Sequence, residues 1–199
     1  MSVINLTAVD VLNNPAPFSE PLQFQISYEC LSSLPDDVEW KVTYVGSAED
    51  ERHDQELESI LVGPMQQGAF RFVLETRAPE PAKIPEDDLV GTTAVILTCH
   101  YRNQEFVRVG YVVVIDYEDE ELRTNNPKPH DPSRLVRHVI ADKPRVTKHN
   151  IAWGDDPEGL AMPTPTMEQE GCEMVEEDAG DAMDDAAAPS AAVGGMDME

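Results

Sequence analysis

Hydrophobic and polar positions alternate most regularly over residues 92–115, TTAVILTCHYRNQEFVRVGYVVVI. A period of two predicts a pair of antiparallel strands, joined at Arg102-Asn103-Gln104-Glu105. On the first strand Val95, Leu97, Cys99 and Tyr101 share one face, with Ala94, Ile96, Thr98 and His100 on the other. On the second, Val107, Val109, Tyr111, Val113 and Ile115 oppose Arg108, Gly110, Val112 and Val114. The first set of each strand is the core face. The other sets mix apolar and charged residues, which marks a face covered by another element or reserved for a partner.

Similar patterns run along the rest of the chain. Strands are predicted at 3–12, before the turn cluster Asn13-Asn14-Pro15, and at 22–30, with Phe24, Ile26, Tyr28 and Cys30 inward. After an acidic turn at 32–37, a strand over 38–46 buries Val38, Trp40, Val42 and Tyr44, and leaves Val45 as an apolar residue on the polar side. Residues 47–54 read as a charged loop, 57–62 and 69–75 as strands, and the proline-rich 76–88 as a connection with a helical turn after Pro85. A helical turn is expected at 118–123. Asp131 and Pro132 suit the N-cap and first position of a short helix reaching about Ala141. Residues 145–153 close the series as a last strand. About eight or nine short strands at turn-punctuated intervals make an antiparallel β-sandwich with a few short helices.

Charge divides the chain. Of the 39 acidic residues, fourteen lie from Gly154 onward, where there is no Lys or Arg, so that stretch carries −14 of the net −25. The expected organisation is a core over 1–153 and an acidic, disordered tail over 154–199, too poor in apolar residues to offset its ordering entropy. An acidic chain favours basic partners and argues against direct binding of nucleic acid, which needs clustered Lys and Arg. No run approaches the roughly 20 apolar residues of a membrane span, and no signal peptide is visible. Cys30, Cys99 and Cys172 do not form a disulfide framework. Cys30 and Cys99 fall on core faces as buried thiols, and Tyr101 lies two residues after Cys99, where the tyrosine corner of an immunoglobulin domain would place it two before.

Catalytic chemistry is not indicated. There is no glycine-rich phosphate loop, no HExxH pair and no Cys/His cluster, and His130, His138 and His149 lack metal-ligand spacing with any Cys. His53-Asp54 and His100 read as polar surface groups. The expectation is a non-enzymatic protein without cofactor or metal.

Several stretches carry a resemblance: NNPAPF at 13–18, DVEWKVTYVGSAE at 37–49, ESILVGP at 58–64, CHYRNQEFVRVGY at 99–111 and KPRVTKHNIAW at 143–153. Together they resemble the anti-silencing-function histone chaperones over essentially all of 1–153. The resemblance implies an immunoglobulin-like sandwich that binds a heterodimer of histones three and four, blocks its tetramerisation surface and passes it to chromatin assembly factors. It also implies a protein that is monomeric when free and located in the nucleus with a cytoplasmic pool. The alternative is an acidic immunoglobulin-like scaffold or transcriptional adaptor without histone specificity.

Three sets of residues match the family's binding positions. Val45, Asp54, Asp88, Thr92, Ala94, Ile96, Arg108 and Val112 would receive the C-terminal helix of histone three on a concave sheet face. The alternation independently assigns Ala94, Ile96, Arg108 and Val112 to the mixed face. Leu6, Tyr111, Pro144, Arg145, Val146 and Thr147 would receive the histone-four tail as an added strand. Asp36, Asp37, Val38, Leu61, Val62 and Phe72 would hold the basic strand-like peptides of assembly factors. Three positions depart from the family pattern: Thr92 and Ala94 replace valines, and Val112 replaces a tyrosine. Two carbons fewer at position 94 forfeit on the order of 1.5 kcal/mol of apolar contact, which retunes rather than abolishes a large interface.

Overall fold

The computed structural model describes residues 2–154. The predicted tail, Gly154 apart, lies outside them. Ten strands alternate with short turns: β1 (Ile4–Val11), β2 (Ala16–Pro17), β3 (Gln23–Cys30), β4 (Val38–Tyr44), β5 (Gln55–Val62), β6 (Gly68–Glu75), β7 (Gly91–Tyr101), β8 (Gln104–Tyr117), β9 (Leu135–Val139) and β10 (Arg145–Lys148). One six-residue helix, α1 (Glu120–Asn125), follows β8 and is capped by the Asp119 carboxylate. The strands form a three-stranded sheet, β1-β3-β6, facing a seven-stranded one ordered β2-β9-β8-β7-β4-β5, with β10 also on β8. This is the expected immunoglobulin-like antiparallel sandwich.

The core is made by the inward sets predicted from the alternation. Val38, Trp40, Val42 and Tyr44 of β4 are buried, as are Phe24, Ile26, Tyr28 and Cys30 of β3 and the five inward residues of β8. Tyr28 sits at the centre, 5.5 Å from the rings of both Trp40 and Phe70. Each such side chain contributes roughly 1.5–3 kcal/mol by leaving water. Cys30 and Cys99 are buried free thiols, and burial pushes the Cys99 thiol well above its usual value.

Four features of the fold differ from the sequence expectation. The β7–β8 hairpin turns on Arg102 and Asn103 alone, both with positive φ (50° and 62°), and Gln104 and Glu105 already belong to β8. Such a two-residue turn matches the right-handed strand twist. Next, the helix expected from Asp131 to about Ala141 is a single 3₁₀ turn, Pro132–Arg134, followed by β9. Asp131 does cap that turn, accepting from the Ser133 backbone N–H. The segment beyond it, β9, then pairs with β8 from Val113↔Val139 to Tyr117↔Leu135. Its inward alternation was hidden because the middle inward residue is Arg137, only 1% exposed. The Arg137 guanidinium donates to the carbonyls of Pro17 (2.9 Å), Glu20 (2.5 Å) and Pro21 (2.6 Å), so the buried charge holds the 17–21 turn. Thirdly, the final strand ends at Lys148. Trp153 leaves the sheet to stack on Tyr101 at 5.6 Å and pack on Phe106 at 4.9 Å. Finally, β2 was too short to leave a pattern.

Asn13 and Asn14 act as backbone surrogates in the NNPAPF segment. The Asn14 amide accepts from the Val139 N–H and donates to its carbonyl, and Asn13 accepts from the Gln23 N–H. The two amides close the sandwich where β1 ends.

β9 and β10 lie along the same edge of β8. β9 pairs with Val113–Tyr117 and β10 with residues 107–110, while residues 141–144 form an arch between them. This arch and β10 border the outward face of the seven-stranded sheet.

Candidate functional site

The mixed face of β7 and β8 forms the floor of a groove. Register places Ala94 opposite Val112, Ile96 opposite Gly110 and Thr98 opposite Arg108. β10 extends the floor sideways, with Arg145 opposite Gly110 and Thr147 opposite Arg108. The open hollow is about 530 Å³, lined by Ala94, Ile96, Gly110 and Val112 below and by Arg108, Lys143, Arg145 and His149 around it. Val112 is 46% exposed on this floor. A second hollow of about 350 Å³ adjoins at Ala94 and is lined by Val45, Asp87, Asp88, Val90 and Thr92. The combined surface is apolar along its middle, acidic at one end and basic at the other.

Val45 sits just past the end of β4. Its N–H donates to the Ala94 carbonyl at 2.9 Å and its own carbonyl accepts from the Thr93 hydroxyl. That anchoring turns its side chain outward, in step with Glu39, Lys41 and Thr43. Gly46 follows because the chain passes so close to the 3₁₀ turn Glu51–His53 that a Cβ would lie 2.0 Å from the His53 carbonyl oxygen. The Gly46 N–H donates to Asp54 Oδ1 at 3.3 Å, which fixes Asp54 beside the Val45 end of the surface. Asp88 lies in the 3₁₀ turn Glu86–Asp88, exposed.

Arg108 has an internal partner. Its guanidinium makes two contacts of 2.8 Å to the Glu105 carboxylate. A β-bulge makes this possible: Cys99 pairs with Val107 but His100 with Glu105, so Phe106 is the extra residue and both Phe106 and Val107 point inward. Glu105 and Arg108 consequently share the outer face. Glu105 is also approached by His149 Nε2 (3.4 Å) and His100 Nε2 (3.8 Å). The hydrogen bonds from Arg108 hold the Glu105 carboxyl below its ordinary range, and the Arg108 guanidinium is raised in turn. Burial lowers the His100 pKa, partly countered by Glu105 and Glu39.

Three of the six residues of the second predicted set, Arg145, Thr147 and Tyr111, line the same groove with Ala94 and Ile96. Tyr111 is a support beneath: it is buried, its hydroxyl donates to the Val9 carbonyl at 3.4 Å, and burial pushes its pKa up to about 12. Val146 points to the other side of β10 and is 49% exposed. Lys148 Nζ donates to Asn5 Oδ1 at 3.4 Å, so β10 adjoins β1 next to half-buried Leu6. Among the described strands β10 pairs with β8 alone, which leaves its outer edge open to strand addition. Sequence reasoning missed Lys143 and His149 as lining residues. Their signal was present as Lys143, Arg145, Thr147 and His149, spaced by two on one face.

Of the third set, Asp36, Asp37 and Leu61 line a separate pocket of about 390 Å³, together with Glu39, His100 and Arg102. Leu61 is 69% exposed on β5, which pairs only with β4 among the described strands. Val62 and Phe72 are half-buried, Phe72 packing on Trp40 at 5.8 Å. Val38 is fully buried and paired on both sides, to Val62 and Tyr101, so it supports this pocket without lining it. Gly63 lets the chain pass Asp37, whose Oδ1 would be 2.5 Å from an added Cβ.

Open strand edges at β5 and β10 and a charged-rim groove are surfaces of the kind that protein-binding modules use. Residues 1–154 match the model of the ASF1 like histone chaperone family. The chain is 58% identical to the Arabidopsis thaliana histone chaperone ASF1B over 151 residues, covering 76% of this chain and 69% of that one. It is 50% identical to Mus musculus histone chaperone ASF1B over 160 residues (80% and 79%) and 48% identical to Saccharomyces cerevisiae histone chaperone ASF1 over 163 residues (82% and 58%). The chain therefore belongs to the ASF1-like histone chaperones, a non-enzymatic family of histone-binding proteins concerned with nucleosome assembly.

Proposed function

We propose that this chain carries one heterodimer of histones three and four, covers its tetramerisation surface and delivers it to assembly factors. The observation that supports this most is that residues of two predicted sets, Ala94, Ile96, Arg108 and Val112 of the first and Tyr111, Arg145 and Thr147 of the second, line one groove. An apolar stripe of a helix fits over Ala94, Ile96 and Val112, while Asp54 and Asp88 at one end and Arg108 at the other orient it by charge. An extended tail of the second histone adds along the open edge of β10, continuous with that groove. Delivery uses the separate pocket at Asp36, Asp37 and Leu61, where a basic strand-like peptide docks while the groove is occupied. The protein acts in the nucleus, with a cytoplasmic pool.

Calibrated light scattering of the full-length chain mixed with refolded histones at moderate salt tests this. The expected mass is one chaperone plus one copy of each histone. A histone tetramer carrying two chaperones would place binding away from the groove, and no complex at all would favour the acidic-scaffold alternative.

A further inference from the structure

Arg102 stands at a position that suits other residues better. It is the first central residue of the β7–β8 turn, with φ 50°, where Gly, Asn or Asp is preferred. Its guanidinium is what the site uses. Arg102 Nε lies 2.5 Å from Asp36 Oδ2, Nη1 donates to the Gly154 carbonyl at 3.3 Å, and the group rests 5.3 Å from the centre of the Tyr101 ring. Asp36 is further fixed by the Tyr101 hydroxyl, which donates to the same oxygen at 3.4 Å. Arg102, Asp36, Asp37 and Leu61 all line one pocket.

We propose that Arg102 is a specificity-determining internal counter-ion of the peptide face, occupying beside Asp36 the place that a basic side chain of an incoming strand must take. The inference rests on reading that face as a peptide site. A segment whose strand register sets its single base at Asp36 exchanges one ion pair for another and gains little. A segment with two adjacent bases also reaches Asp37, and so gains a net contact while Leu61 takes an apolar neighbour. The turn thus discriminates paired bases from single ones.

The test is calorimetric titration of the full-length chain with two synthetic peptides of about twelve residues, alternating Val and Thr around one central Arg or an Arg-Arg pair. The native chain is expected to prefer the paired peptide. Arg102→Asn removes the guanidinium and suits the left-handed turn, so folding is not at risk. It is expected to tighten the single-Arg peptide by about three- to tenfold and to narrow the preference. Arg102→Lys should behave as the native chain. Arg134→Gln, which changes the net charge equally in the segment between β8 and β9, should have little effect. If the native chain binds but Arg102→Asn leaves the single-Arg affinity unchanged or weaker, the counter-ion role is overturned and the peptide face stands. If neither chain binds either peptide, and Asp37→Asn is equally silent, both fail. An equal gain from Arg134→Gln would reduce the effect to net charge and overturn the proposal.

Discussion

Glu105 and Arg108 lie three residues apart on one strand, yet their side chains meet in a two-point ion pair with both contacts at 2.8 Å. In an unbroken strand they would point to opposite sides of the sheet. The bulge at Phe106 removes that parity, and the pair fixes Arg108 at the groove rim before any partner arrives.

Arg108→Glu places two carboxylates against each other at the rim. Histone affinity is expected to fall by on the order of 3 kcal/mol or more, because a partner charge loses its counter-ion and meets a like one. The exposed pair itself contributes about 1 kcal/mol at most to the fold. Fluorescence binding and thermal melts should therefore separate: strong loss in the first, a small shift in the second. Equal affinity in the folded variant counts against the groove.

Acid should weaken the fold through this cluster in two stages. The folded pKa of His100 lies below its unfolded value near 6.5. The unfolded chain then binds more protons, so this contribution is full above about pH 6.5 and declines as pH falls through the folded value. The Glu105 carboxyl is also depressed, so its contribution is present above about pH 4.3 and is lost as pH drops through its lower folded value. Urea melts from pH 8 to 3 should show the first step vanish in His100→Gln and the second in Glu105→Gln.

Ala94→Val adds two carbons at the junction of the two hollows, where Ala94 is half-buried. At about 0.8 kcal/mol per CH₂, histone binding should tighten roughly tenfold, with no cost to folding. Competition titration against the native chain measures this. A weaker complex would mean that this groove is shaped for a bulkier partner side chain opposite Ala94.

Arg137→Met keeps the volume of the buried side chain and removes its donors. Three carbonyls, on Pro17, Glu20 and Pro21, then lose a charged partner, and about 3 kcal/mol or more of stability should go with them. Equilibrium urea denaturation measures the loss. A variant as stable as the native chain would show that the 17–21 turn stands without this anchor.

Truncation after Trp153 removes fourteen acidic residues. Histone affinity at low salt should drop, and its dependence on salt should flatten, while affinity at high salt stays near that of the full chain. Identical salt curves would reduce this segment to a solubilising role.

Much of the fold could be read from residues with one job. Val95, Leu97, Cys99 and Tyr101 are inward and apolar, and the alternation places them without ambiguity. Arg137 defeated the same logic, because a charge facing the core is satisfied by carbonyls distant in sequence. Period-two reading could not locate the bulge at Phe106 either, since its trace is a pair of adjacent inward residues. Val45 stood out because a short excess of apolar character on a polar side remains visible locally. The shared groove was illegible: only pairing along β8 shows that the β10 residues Arg145 and Thr147 stand beside Gly110 and Arg108.

Beyond Ile140, whose N–H still donates to the Val112 carbonyl at 2.8 Å, an arch at 141–144 interrupts the strand line on the β8 edge and brings Lys143 to the groove. Floor and entrance are therefore built by different parts of the chain. An insertion or deletion within the arch changes the breadth of what can enter, while every ladder bond beneath keeps its partner. Cargo choice and fold stability can accordingly be adjusted one at a time.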